Sequence, residues 1–183
     1  MGADQLKEQG IQLFHQKEYE DAARVFQQAY DAYTAEARPD MAAEMNVNLG
    51  LVRRSMGEHQ QALDLMQDAL QVFDAGGDTL RKAMVLGNLG SVYKALNDKE
   101  QALNCFREAA DLFEELGEKK MHGETLLAIA DLQMSERKIN AAAATYEAGL
   151  EELDQLSGSQ KLLKGLIGIK NRLTGGGGSG SGS

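Results

Sequence analysis

Residues 86–110 read LGNLGSVYKALNDKEQALNCFREAA, two amphipathic patterns on either side of a turn. Leu86, Leu89, Gly90 and Tyr93 recur at helical spacing on one face of the first. Ala102, Leu103, Phe106, Ala109, Ala110 and Phe113 form the apolar stripe of the second. Asn97-Asp98 separates them, and asparagine tolerates the left-handed backbone that ends a helix. The spacing predicts helices over about 79–96 and 99–116, folded into a hairpin.

This hairpin is one of four. Gly10, Gly50, Gly90 and Ala130 stand forty positions apart. Three further sets keep the same step: Ala22, Ala62, Ala102 and Ala142; Phe26, Met66, Phe106 and Tyr146; Ala29, Ala69, Ala109 and Gly149. A fixed period of this length marks a stacked repeat array. The units run over about 3–38, 39–78, 79–118 and 119–157. Gly57, Gly76-Gly77 and Gly117 punctuate helix ends, and Pro39 sits just before a helix, where its missing N–H costs little. The expected packing sets Gly90 against Ala102 within the hairpin and Phe106 between neighbouring units. Such an array is one continuous core, so one domain is expected over 1–174.

The 183 residues include one proline, no tryptophan and abundant helix formers. The net charge of -9 repels phosphate backbones, which argues against nucleic-acid binding. No apolar run approaches a membrane span, and nothing at the N-terminus reads as a secretion leader. The single cysteine, Cys105, excludes internal disulfides and reads as a small buried hydrophobe in a reducing compartment. A cytoplasmic protein is the expectation. The tail over 175–183 is glycine and serine only. It reads as a flexible engineered linker to a tag, surface or fusion partner.

Leu86-x-x-Leu89-Gly90-x-x-Tyr93, followed by Ala102-x-x-x-Phe106 and Ala109, resembles the tetratricopeptide repeat, with Leu86 at the family's Trp position. The usual period is 34; the forty-residue spacing here is similar to that of kinesin light chains and of the Leu-Gly-Asn spindle-orientation proteins. The usual proline is replaced by Thr34, Asp74, Glu114 and Asp154, so longer hairpins are expected. The resemblance implies an all-α fold: a right-handed superhelical solenoid of four helix-turn-helix units. A C-terminal capping helix over 159–173 would then seal the last apolar face with Leu166, Ile169 and Leu173.

No reaction is legible. His15, His59 and His122 lack ligand spacing, no Cys-x-x-Cys occurs, and the glycine tail lacks a phosphate loop's Lys-Ser/Thr. Neither a cofactor nor a metal is expected. The resemblance implies instead a non-catalytic scaffold that binds a peptide in a concave groove lined by the first helix of each unit. The groove positions carry Lys7, Glu8, Ile11 and Phe14; Val47, Asn48, Leu51 and Arg54; Met84, Asn88, Ser91 and Lys94; Leu127, Asp131 and Met134. In the resembled arrays an asparagine before Leu-Gly holds the main chain of an extended peptide, and Asn48 and Asn88 stand there. An amide both donates and accepts, so it can fix a backbone without choosing side chains. Arg54 and Lys94 would favour an acidic centre in that peptide. Chaperone-tail clamps have two lysines, two asparagines and an arginine. Here Ile11, Met84 and Asn88 break that set, and only Lys7 and Asn48 match. The alternative reading is a structural module that self-associates into a homo-oligomer through convex or terminal faces.

Overall fold

The computed structural model describes residues 1–153 and, beyond them, residues 158, 161, 164, 165, 167 and 168. The described residues form helices and turns only. The helices are α1 (Ala3–His15), α2 (Tyr19–Ala35), α3 (Pro39–Ser55), α4 (His59–Ala75), α5 (Thr79–Ala95), α6 (Lys99–Leu116), α7 (Lys119–Ser135) and α8 (Ile139–Glu151). By contact the chain divides into two compact units, Met1–Leu112 and Phe113–Ser183. In the first, each of α1 to α4 packs on the next, and α3 also touches α5; in the second, α7 packs on α8. Residues 161, 164, 165, 167 and 168 of the expected capping helix are helical, and Ile167 is buried. Leu166, Ile169 and Leu173, and the tail over 175–183, lie outside the described residues.

A twenty-residue rhythm runs inside the forty-residue one. Seven turns join α1 through α8, and each carries one residue of positive φ: Lys17, Ala37, Gly57, Gly77, Asn97, Gly117 and Arg137. Each turn closes the same way. The N–H of Asn97 reaches the Lys94 carbonyl at 3.1 Å, and that of Asp98 reaches Tyr93 at 2.9 Å. Gly57 and Glu58 repeat this pair two turns earlier, at 3.0 and 2.8 Å. These bonds satisfy the carbonyls a helix end would otherwise leave open. The six extra residues of the longer period are shared by both helices of a hairpin. α3, α4 and α5 have 17 residues each, about 25 Å of rise.

The small residues lie at the hairpin contacts. A Cβ added to Gly90 would stand 2.7 Å from the Phe106 ring, and one on Gly10 would stand 2.6 Å from Phe26. The expected partner of Gly90 was Ala102; the nearest atoms belong instead to Phe106. The large residue therefore fills the space over the glycine of its own hairpin, since a ring needs a flat, side-chain-free patch to lie on. Ala102 is nonetheless fully buried. In the second hairpin Met66 takes the ring's place against Gly50, at 2.9 Å.

One face of α3 (Ala42, Met45, Leu49 and Val52) shares a core with Phe26, Ala29 and Tyr33 of α2. Another (Ala43, Val47, Leu51) joins Met66 and Phe73 of α4 and Val85 and Leu89 of α5. Stacking thus buries two faces of one helix, which a lone hairpin cannot do. Cys105 is half-buried against this second cluster, not enclosed as expected, and burial pushes its thiol up to about 11. Tyr33 is buried and its hydroxyl donates to Asp4 at 2.6 Å. That bond ties the start of α1 to the end of α2, while Gly10 meets Phe26 midway, so the two helices run antiparallel.

Candidate functional site

Asn48, Leu51 and Arg54 follow one another at steps of three on α3, a spacing that keeps them on one side of the helix. Asn88, Ser91 and Lys94 repeat that placement on α5, which touches α3. The amino-terminal parts of the same helices are joined by ion pairs. Lys7 of α1 lies 3.4 Å from Glu44 of α3. Arg81 of α5 reaches Asp40 at 3.3 Å and Glu44 at 3.9 Å. Asp78 caps α5, accepting from the Arg81 backbone N–H at 2.9 Å and from its guanidinium at 2.6 Å. Arg81 also lies over the Phe73 ring at 4.8 Å. Lys7 is thereby engaged within the fold.

Asn48 and Asn88 are half-buried, and neither side-chain amide makes a hydrogen bond among the described residues. Arg54 is half-buried too, and its guanidinium makes neither hydrogen bond nor ion pair there. Its neighbour Arg53, by contrast, holds Glu58 at 2.7 Å across the α3–α4 turn. Burial lowers the pKa of Arg54, but a guanidinium stays charged throughout the physiological range. A desolvated cation without an anion is costly.

The other predicted residues divide by role. Leu51 and Val47 are half-spent in the core. Phe14 packs on Tyr19 across the first turn, with ring centroids 5.8 Å apart, and Ile11 packs on the first core. The Ser91 hydroxyl donates to the Gly87 carbonyl at 3.2 Å, leaving its oxygen able to accept. Lys94 and Met84 are exposed on α5, and Glu8 is exposed on α1. On α7, in the second compact unit, Asp131 and Met134 are exposed and Leu127 is half-buried.

Two features lie outside the four repeat registers and the groove positions. Ala3, Ala43, Ala83 and Gly123 are a fifth forty-step set, all buried, and the signal was present in the sequence. A cavity of about 380 Å³ also opens among α2, α3 and α4, lined by Tyr30, Thr34, Ala42, Asn46, Asp68 and Val72 among others. On α3 its residues lie about 130° around the axis from Asn48, Leu51 and Arg54. It is therefore a separate site. No group of three or more metal-ligating side chains occurs among the described residues, and no helix there is long and apolar enough to cross a membrane.

Residues 41–115 match the family model of the tetratricopeptide repeat. No curated protein matches the chain by sequence. Among solved structures it is similar to BtubC (BKLC) from P. vanneervenii, with a TM-score of 0.77 at 16% identity over 98% of this chain and 83% of that one. It is similar to the apo form of RapI, at 0.77 and 16% over 93% of this chain and 47% of that one. Aspartyl phosphate phosphatase F from Bacillus subtilis gives 0.82 and 17%, over 94% and 48%. The chain spans about half the length of the last two. At such identities the likeness is one of fold. Residues 41–115 are tetratricopeptide-repeat sequence, and the helical hairpins that carry them have the tetratricopeptide-like fold.

Proposed function

We propose that the face shared by α3 and α5 binds an extended peptide segment of a partner protein and catalyses no reaction on it. Tetratricopeptide-like repeats typically serve protein interaction, which supports this class of function. The observation that carries the reading is Arg54, a half-buried guanidinium with no anion among the described residues, on the helix that also presents the Asn48 amide, which has no partner among them either. Asn88 repeats that amide on α5. Two amides forty residues apart can hold main-chain groups of one extended strand, and Arg54, about two turns along α3 from Asn48, takes an acidic side chain of it.

The test is selection of ligands from a randomised linear peptide library, followed by affinity measurement. Selected peptides should carry Asp or Glu near the centre. Asn48→Ala with Asn88→Ala should weaken them about 10- to 100-fold, at roughly 1 kcal/mol per lost hydrogen bond. Arg54→Glu should remove the acidic preference most clearly at low salt. Unchanged affinity in the double-alanine variant would refute the proposal.

A further inference from the structure

Because the chain repeats, one cleft can be compared with the next. Between α4 and α6, Lys82 of α5 reaches Asp74 at 2.7 Å and Glu108 at 3.3 Å. Those hydrogen bonds, Asp74 first, raise the lysine's pKa above its ordinary value. Forty residues earlier the same three places hold Ala42, Thr34 and Asp68. The cation is gone and so is one carboxylate. Asp68 remains, with no hydrogen bond or ion pair among the described residues. Where the lysine would lie there is the cavity of about 380 Å³.

The lining matches what a lysine side chain offers. Ala42 and Val72 supply apolar surface for a methylene stem. Asp68, the Asn46 amide and the Thr34 hydroxyl supply acceptors for the three N–H donors of an ammonium. The cation of the lining, Arg38, is already engaged. It pairs with Glu36 at 3.2 Å and Asp4 at 3.6 Å, and lies over the Tyr33 ring at 4.7 Å. A chain of net charge -9 attracts basic partners.

We infer that the cleft between α2 and α4 is a docking site for a lysine side chain of a partner protein, with its stem along Ala42 and Val72 and its ammonium on Asp68. The partner thereby supplies what Lys82 supplies within the chain one repeat later. This site is separate from the α3–α5 face and does not depend on it.

Amide NMR shifts of the full chain, titrated with acetyl-Ala-Lys-Ala-amide, test the inference. Millimolar binding is expected for so small a probe. Shifts should centre on Ala42, Asn46, Asp68 and Val72, and the norleucine peptide, which has the stem without the ammonium, should not produce them. Asp68→Asn should weaken binding about fivefold. Ala42→Lys should abolish it by filling the cleft from within, with the helical circular-dichroism spectrum retained. Should that variant fail to fold, Asp68→Asn and the norleucine peptide still decide. Shifts absent from the cleft, or undiminished in Asp68→Asn, would overturn the inference. Tighter binding of 1,5-diaminopentane than of the lysine peptide would overturn the protein source and assign the cleft to a free amine.

Discussion

Lys17, Ala37 and Arg137 hold the same left-handed backbone as Gly57, Gly77 and Gly117 but carry a Cβ that opposes it. Ala37→Gly should therefore stabilise the protein by about 1 kcal/mol, read as a higher denaturant midpoint. Gly77→Ala should cost about as much. Four of the seven turns could be read in the sequence because glycine or asparagine marks them. The other three carry no such residue at the turn itself, because a lysine, alanine or arginine gives no sign that the backbone around it is turning; of these only the Ala37 turn is flagged, by Pro39 two residues on. Asp78 yields a pH prediction. Its carboxyl is held below 3.8, first by the Arg81 backbone N–H and then by the Arg81 side chain. Its contribution to stability is complete above 3.8 and is lost as pH falls through the lowered value. Asp78→Asn keeps a capping acceptor and removes the titration. Chemical denaturation across the acid range should show a shallower decline for that variant. At Cys105, a thiol pushed up to about 11 from 9.0 should be alkylated at neutral pH about 100-fold more slowly than an exposed cysteine.

Between helices, the decisive contacts are those where a side chain is missing. Gly90→Ala would gain about 1 kcal/mol in helix propensity. Its new Cβ would meet a buried ring at 2.7 Å, an overpacking that costs about 1–3 kcal/mol. The net effect should be a loss of stability, recovered in part by Phe106→Leu in the same chain. Gly123→Ala should cost more, because its Cβ would meet the Gly149 carbonyl at 2.8 Å, and backbone cannot swing aside as a ring can. Thermal or denaturant unfolding of the two variants checks the order. The periodic small residues announced that hairpins exist and where they touch. They did not reveal that Phe106 covers Gly90 of its own hairpin, because a step of forty records that a position is special and not which way its side chain leans. Nor did they single out the last hairpin, where Gly123 faces Gly149 while the matching places hold Ala43 and Ala69, or Ala83 and Ala109.

Across the molecule, the all-helical fold was legible from residues 86–110 and their echoes. The candidate face was legible in part. Asn48, Asn88 and Arg54 stood out by register and residue type, and their lack of partners appears only once the neighbouring helices are in place. Phe14 fits the register equally well, yet the first turn uses it for Tyr19. The cleft beside Ala42 left no motif, since it consists of an absent lysine. Amide NMR shifts of the full chain, titrated with a library-selected acidic peptide, test the peptide-binding account most directly. The account predicts perturbations centred on Asn48, Leu51, Arg54, Asn88 and Ser91. Perturbations confined to other faces, with these five residues unmoved at saturation, would contradict it.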